Sequence, residues 1–220
     1  MGILRSMICV LAACTLFNSP VFGQAKKSYL DSASELVKSG HAEQALALVE
    51  PIIAKAMLAD AKDSSAICPG AAVAFLQAFT KSNLTFSVEN DWCVALLVKA
   101  YALNELKRPA EAEAVLKGLI GHDPKNPQFL SEYAYTVRLN GGLERSLDLY
   151  KQAERIASNH LQGESAAHWR AVALRGQGFA LSEQQRWDDA MKAYQRSLKL
   201  EPDSEIAKNE LQYIEQHRPH

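Results

Sequence analysis

The chain has 220 residues, enough for one sizeable domain or one short repeat array. Hydrophobic residues make up 48% and charged residues 22%, which is typical of globular proteins, so disorder over most of the chain is not expected. The 24 Lys and Arg residues nearly balance the 25 Asp and Glu residues, giving a formal net charge of -1. Because nucleic-acid binding requires a basic surface that displaces counterions, this balance gives no reason to expect a nucleic-acid partner.

Residues 1–23 have the pattern of a secretory signal peptide. Arg5 provides an early positive charge, an apolar run covers residues 7–17, and Pro20 ends it shortly before Gly23. The run is shorter than the roughly 20 apolar residues that a membrane-spanning helix needs. The pattern therefore predicts cleavage after Gly23, no membrane span, and a periplasmic or secreted mature protein.

A second interpretation of the N-terminus stays open. Residues 11–14 read Leu-Ala-Ala-Cys and resemble the bacterial lipobox, in which the cysteine is lipidated. In that case Cys14 would carry a lipid anchor and residues 15–27 would form a short tether. The protein would then be an outer-membrane lipoprotein.

The cysteine count depends on the signal peptide. Cleavage after Gly23 removes two of the four cysteines and leaves Cys68 and Cys93. An even pair in an oxidising compartment predicts one disulfide between them, worth roughly 3 kcal/mol in the chain-entropy model. The alternative is two separate buried thiols. Two cysteines without nearby histidines do not make a zinc site, so no metal is expected.

The C-terminal third contains the clearest internal repeat unit, residues 171–204. Gly178 lies midway along its predicted first helix, Ala190 lies early in the second helix, Tyr194 follows four positions later, and Pro202 stands near the closing turn. Two helices cross closely where one offers Gly or Ala to a bulky side chain of the other. Proline after the second helix prevents its continuation. This pattern resembles the tetratricopeptide repeat (TPR), a 34-residue helix-turn-helix.

The same pattern recurs in phase in units 26–59, 93–126 and 127–170. Three well-phased units from residue 93 to residue 204 favour the TPR over another family of helical hairpins, which is the alternative. The matching positions are Ala33, Leu36, Gly40, Ala45, Val49 and Ile52 in the first unit, Ala100, Leu103, Ala112, Leu116 and Pro124 in the second, and Ala134, Val137, Ser146, Tyr150 and Ala153 in the third.

Two segments depart from the repeat. Residues 60–92 do not match and are interpreted as a degenerate unit with loops, flanked by the two remaining cysteines. The unit that starts at residue 127 is followed by the next unit after 44 residues rather than 34. The ten extra residues, 160–169, are interpreted as an extended second helix and a longer connection, with Gly163 near the break.

Residues 205–217 are predicted to form a C-terminal cap helix, because repeat arrays need a polar-faced end. Either Asp203 or Ser204 is suited to cap its N-terminus. The predicted apolar stripe of this helix consists of Ile206, Leu211 and Ile214.

The resemblance implies an all-α solenoid of helical hairpins, a right-handed α-α superhelix, whose first helices line a concave groove. In the family this groove receives an extended peptide or a partner helix. Carried over to this sequence, the residue after each packing Ala or Gly faces the groove, and a second groove residue follows three positions later. The first set is Tyr101, Tyr135 and Phe179, and the second set is Asn104, Arg138 and Ser182.

The three rings are suitable anchors for a partner, since aromatic side chains bury much area at low entropic cost. Asn104 and Arg138 are candidates for binding a peptide backbone or a carboxylate. The alternative is that the rings pack into the core between units, because an error of one position rotates a helical residue by about 100°.

Some TPR proteins grip a chaperone's C-terminal carboxylate with paired Lys and Asn side chains. The matching positions here are occupied by other residues, so that clamp is absent. They are Leu30, Ser34, Val98, Val172 and Gly176.

No catalytic constellation stands out: the sequence has no glycine-rich phosphate loop, no G-x-S-x-G and no H-E-x-x-H motif. The histidines do not form a ligand set with one another or with cysteine. The protein is therefore predicted to be a non-enzymatic scaffold without a cofactor, which binds a protein or peptide on the TPR groove. The alternative is a non-catalytic regulatory or assembly subunit of an envelope enzyme or secretion complex.

Overall fold

The structure, a computed structural model, describes residues 29–60 and 92–218, the side chains of 56–60 excepted. The predicted signal peptide, Cys14, Cys68 and most of the degenerate unit lie outside these residues. The described part contains nine helices and no strand. They are α1 (Tyr29–Lys38), α2 (Ala42–Asp60), α3 (Trp92–Glu105), α4 (Pro109–His122), α5 (Pro127–Leu139), α6 (Leu143–His160), α7 (Gly163–Glu183), α8 (Trp187–Leu200) and α9 (Glu205–His217).

Each helix packs against the next one along the chain, and α2 packs against α3. The pairs α1–α2, α3–α4, α5–α6 and α7–α8 are the hairpins of four units, and α9 follows as a single helix. The predicted all-α architecture of helical hairpins is therefore confirmed.

A residue in the left-handed backbone region ends the first helix of every hairpin. These residues are Gly40, Lys107, Gly141 and Gln185, with φ between 59° and 82°. In each case the following N–H donates to the carbonyl five positions earlier, as in the bond from Gly142 to Val137 (3.0 Å). The spacing of 67, 34 and 44 positions between these turns reproduces the phase of the sequence repeat.

Small residues allow the helices of a hairpin to approach closely. A Cβ at Gly178 would lie 2.5 Å from Cζ of Tyr194, so the ring occupies the space that glycine leaves. In the preceding unit the Ser146 hydroxyl donates to the Ala134 carbonyl at 2.8 Å, and both residues are fully buried. The packing roles predicted for Gly178 and Tyr194 are thus confirmed.

The predicted extension of the second helix is present, since α6 has 18 residues against 14 in α4 and α8, but the predicted longer connection is not. Helix α6 ends at His160, the connection comprises only two residues, and Gly163 begins α7 with φ +57°. Most of the insertion therefore lengthens the first helix of the next unit rather than the connection. The longer α7 buries Ser165.

Helix caps agree with the sequence signals. The Asn126 side chain accepts hydrogen bonds from the backbone of Gln128 (3.0 Å) and Phe129 (3.3 Å), and Pro127 begins α5. Ser204, rather than Asp203, caps α9 by accepting from the backbone N–H of Ala207.

The prediction for the apolar stripe of α9 is wrong at Ile206, which is 54% exposed. Ala207 and Ile214 are fully buried, and Leu211 packs against the same cluster. Positions 207, 211 and 214 share one helical face, whereas position 206 is rotated by about 100° from it.

The core is a series of overlapping clusters rather than one centre. One cluster joins α1, α2 and α3, a second extends from α3 to α7, and a third joins α7, α8 and α9. Each unit therefore buries its apolar face mainly against its neighbours, as expected of a repeat array.

Candidate protein-binding face

The first helices form one layer of the array. Helix α1 contacts α3, α3 contacts α5, α5 contacts α7, and α7 contacts α9, whereas α2, α4, α6 and α8 approach one another less closely. In a curved two-layer array, the layer with the closer helix spacing lies on the inner side. The first helices therefore line the concave side in the described part of the chain.

Partly exposed or exposed side chains, together with the buried Asn104, form a stripe along this layer, called here the first-helix stripe. On α5 and α7 they recur at intervals of three or four residues, which keeps them on one helical face. The stripe consists of Tyr101 and Asn104 on α3, Gln128, Glu132, Tyr135 and Arg138 on α5, Val172, Arg175, Phe179 and Ser182 on α7, and Glu210 and Tyr213 on α9.

The three predicted rings all lie at the boundary between this layer's core and its surface. Tyr101, Tyr135 and Phe179 are each partly exposed. Tyr101 packs against the central cluster, and Phe179 makes an edge-to-face contact with Tyr194 at 5.8 Å between ring centroids. Tyr101 and Phe179 thus combine core packing with partial exposure, whereas the Tyr135 ring contacts the guanidinium of Arg138.

Arg138 occupies the centre of the stripe and is already engaged. Its guanidinium carbon lies 5.1 Å from the centroid of the Tyr135 ring and 5.7 Å from that of Phe179. The same guanidinium forms an ion pair with Glu183. Arg138 therefore bridges α5 and α7 as a cation between two rings and beside a carboxylate.

Asn104 and Ser182 are less accessible than a groove residue would need to be. Asn104 is only 6% exposed, and its amide donates to the Thr136 hydroxyl at 2.9 Å. Its Oδ1 is buried and has no hydrogen-bond partner among the described residues, and the same holds for Oγ of Ser182. The amide of Asn104 thus joins α3 to α5, and its carbonyl oxygen is buried without a partner among the described residues.

Glu132 is a stripe residue that the sequence reasoning missed. Burial raises its pKa to about 7, although a hydrogen bond with the Tyr101 hydroxyl acts in the opposite direction. Burial and the nearby Glu132 carboxylate raise the pKa of Tyr101. No basic side chain of the described residues pairs with Glu132. It appears in the sequence only as one glutamate among many, so no pattern singled it out.

Tyr213 extends the row of rings onto α9. It lies 34 positions after Phe179, the repeat period, so the sequence did contain a signal for it. The ring is 48% exposed and stacks on His217 with 4.0 Å between centroids. Glu210 lies one turn earlier, and burial raises its pKa against opposing effects from Tyr194 and Arg138.

The positions of the carboxylate clamp hold no basic side chain. Leu30 and Val98 are buried, and the space beside Gly176 is filled by the ring of Tyr150. Cys93 is buried at the start of α3, whereas Cys68 lies outside the described residues, so their disulfide stays a prediction.

Within 29–60 and 92–218, no group of three or more His, Cys, Asp and Glu side chains is arranged to hold a metal ion. No helix in these two ranges is long and apolar enough to cross a membrane.

Stacked helical hairpins with a stripe of half-buried rings on the inner layer define a helical-repeat protein. Residues 171–204 match the family model of the tetratricopeptide repeat, so the hairpin of α7 and α8 contains such a repeat. No curated protein matches the chain.

Several solved structures resemble it. The first TPR of Spaghetti (RPAP3), bound to an HSP90 peptide, is 22% identical over 56% of this chain and 90% of its own, with a TM-score of 0.47. The Sgt2 TPR domain from Aspergillus fumigatus is 18% identical over 56% and 77%, with a TM-score of 0.48. The TPR protein YrrB is 15% identical over 82% and 89%, with a TM-score of 0.45.

Proposed function

We propose that this protein is a non-catalytic scaffold that binds an extended segment of a protein partner along the first-helix stripe. The observation that carries the proposal is the row of four rings, Tyr101, Tyr135, Phe179 and Tyr213, one on each of four neighbouring helices. Each ring contacts another side chain of the protein and is at least partly exposed. Such rings bury large areas on binding without losing much conformational freedom.

The proposed compartment is extracytoplasmic. It rests on the signal-peptide pattern of residues 1–23, with lipidation at Cys14 as the alternative route to the envelope. The intact mass of the mature protein distinguishes these routes. A mature start at Gln24 supports cleavage after Gly23, whereas a mature start at a diacylated Cys14 would show that the protein is lipidated instead.

The binding face is tested by site-specific photo-crosslinking in cells of the source organism. A photoreactive phenylalanine analogue at Tyr135 or Tyr213 is expected to capture the partner. The matched control carries the same analogue at Lys151 or Arg155, both exposed on the second helix α6. Capture from α6 with none from the stripe would contradict the proposed face.

A loss-of-binding experiment complements the crosslinking. The double variant Tyr135→Ala with Arg138→Ala removes one ring and the central cation, and we expect recovery of the crosslinked partner to fall about tenfold or more. Lys151→Ala with Arg155→Ala is the control and should leave recovery unchanged. Equal recovery with both double variants would refute binding at the stripe.

A further inference from the structure

The chemistry of the stripe indicates which kind of segment it binds. The ionisable groups on or beside it that are not paired elsewhere are Arg138 and three carboxyl groups, those of Glu132, Glu183 and Glu210, so acidic groups outnumber the single base. Arg175 adds nothing to this balance because it pairs with Glu201 at 2.5 Å. The whole chain has nearly equal numbers of acidic and basic residues, so this excess of acidic groups is local to the stripe.

Arg138 shows what the stripe accommodates. It lies between the rings of Tyr135 and Phe179 and pairs with Glu183, so one cation of the protein itself fills a site made of aromatic rings and a carboxylate. This arrangement uses the attraction of a cation to the negative face of a ring together with an ion pair. The ion pair with Glu183 uses one Nη of the guanidinium, so a carboxylate ligand at that nitrogen would compete with Glu183, while Nε is buried without a hydrogen-bond partner.

A ring and a carboxyl group also lie near each other on both sides of Arg138, and no described basic side chain forms an ion pair with either carboxyl group; at Tyr213 one face of the ring is stacked on His217. On one side, the Glu132 carboxylate lies beside the Tyr101 hydroxyl, and the buried Asn104 offers an unpartnered acceptor on the same edge of α3. On the other side, Glu210 lies one turn from the exposed ring of Tyr213. Neither carboxylate forms an ion pair with another described residue, so each would gain from a cation that a ligand brings.

A fully buried hydroxyl gives independent support on the Glu210 side. Tyr194 is 0% exposed, and its hydroxyl lies close to Ser182 and Glu210 without a hydrogen bond of ordinary geometry to either. A buried hydroxyl is costly when it has no partner. A donor group placed at Glu210 would satisfy acceptors that the protein leaves open there.

We infer that the segment bound by this protein is basic, with one Lys or Arg side chain at the Tyr101–Glu132 site and another at the Glu210–Tyr213 site. This inference rests on the proposed function, because it assigns the ligand chemistry of the same face. The carboxyl groups of the two sites, Glu132 on α5 and Glu210 on α9, lie on helices separated by two helix spacings, roughly 20 Å. An extended peptide covers that distance in about six residues.

The inference is tested by selection from a phage library of random twelve-residue peptides on the immobilised, mature protein. We expect enrichment of peptides with two Lys or Arg residues about six positions apart. Enrichment of acidic or uncharged peptides would overturn the inference.

The leading synthetic peptide is then measured by fluorescence anisotropy against isosteric variants. Glu132→Gln and Glu210→Gln should each weaken binding about tenfold, because each removes one charge partner without changing shape. Glu144→Gln, an exposed position on α6, is the matched control and should change binding less than about twofold. Unchanged affinity in both stripe variants would overturn the inference.

Failure of the basic-ligand inference and failure of the proposed binding face give different results. Selected peptides that lose binding with Tyr135→Ala plus Arg138→Ala, but are not basic, contradict the ligand chemistry and leave the binding face in place. Peptides that bind equally well to this double variant contradict the face itself, and the inference with it.

Discussion

One residue in the left-handed backbone region lies at the turn of each hairpin. The left-handed position after each first helix is occupied by glycine in two units and by Lys107 and Gln185 in the other two. Side chains other than glycine are strained there, because Cβ crowds the neighbouring carbonyl oxygen. The hydrogen-bonded turn recurs in all four hairpins, so the geometry is imposed by helix packing rather than by the residue.

Substitution at these positions should therefore change stability in opposite directions. Lys107→Gly and Gln185→Gly should each raise the free energy of unfolding by about 0.5–1 kcal/mol, and Gly141→Ala should lower it by about 1 kcal/mol. Urea unfolding followed by circular dichroism measures all three. A loss of stability in both glycine variants would contradict the strain argument.

Glu132 should make the stability of the protein depend on pH. Burial raises its folded-state pKa to about 7 from the ordinary 4.5, so the folded protein retains a proton that the unfolded chain releases. The carboxyl therefore costs stability as pH rises from 4.5 to 7. Tyr101 and Tyr150, which face it from α3 and α6, have raised pKa values and stay neutral over this range.

The variant Glu132→Gln should be more stable than the wild type by about 2 kcal/mol at pH 8, after allowance for the partial exposure of the side chain. The difference should shrink between pH 7 and pH 4.5 and be absent below pH 4.5. Urea titrations at pH 4, 6 and 8 measure it. A pH-independent difference would show that ionisation of Glu132 is not its cause.

At the scale of helices, bulky rings of second helices enter the first-helix layer at glycines. The ring of Tyr150 occupies the space beside Gly176, and that of Tyr194 occupies the space beside Gly178. Both tyrosines are buried, so each glycine is needed for close approach rather than for its backbone freedom. These contacts join α6 to α7 and α7 to α8.

Gly178→Ala should lower the free energy of unfolding by about 1–3 kcal/mol, because the new methyl group overlaps the Tyr194 ring. Gly118→Ala is the matched control. Its Cβ would meet no atom within 4 Å in α4, so helix propensity should raise stability by up to about 1 kcal/mol. In a double-mutant cycle, Tyr194→Leu should remove most of the cost of Gly178→Ala. Independent effects of the two substitutions would contradict the packing argument.

Polar contacts between helices add to this packing. Glu113 on α4 accepts hydrogen bonds from Asn140 (3.1 Å) and Arg145 (2.9 Å) and pairs with Lys117 (3.1 Å). Burial opposes ionisation of this carboxyl, but the hydrogen bonds outweigh it and lower its pKa to about 2. The cluster ties the second unit to the third on the side away from the first-helix stripe.

At the scale of the whole molecule, the array is a row of locally packed units that ends with α9. This helix covers Tyr194 and the third cluster through Ala207 and Ile214, while Ile206 and Tyr213 point away from that cluster. Helix α9 thus closes the core and also adds one helix to the first-helix layer.

Ile214→Ala should lower the free energy of unfolding by about 2–4 kcal/mol, because it opens a cavity under a fully buried side chain. Ile206→Ala, on the same helix but 54% exposed, is the control and should change it by about 0.5 kcal/mol or less. Thermal and urea unfolding measure both variants. Equal effects would contradict the assignment of the buried face of α9.

The mature protein should contain one disulfide between Cys68 and Cys93. Alkylation under non-reducing conditions followed by mass spectrometry should label no thiol, whereas reduction first should label both. Two labelled thiols without reduction would refute the pairing. Cys93→Ser, as the control, should leave one labelled thiol.

The sequence by itself determined the architecture, because the repeat pattern is local: pairs of helices with small residues at fixed positions recur in phase. Gly178, Tyr194 and Ser204 play the roles predicted for them. It also placed the three rings from Tyr101 to Phe179, since one helical periodicity fixes them all. Only the tertiary structure decided which charges meet. The pairing of Arg138 with Glu183 and the isolation of Glu132 beside Tyr101 depend on distances between helices 30 to 45 residues apart in the chain, and no local pattern encodes them. Packing against neighbouring units also explains two details that the sequence did not predict. It turns Ile206 away from the core, and it places most of the ten-residue insertion in α7.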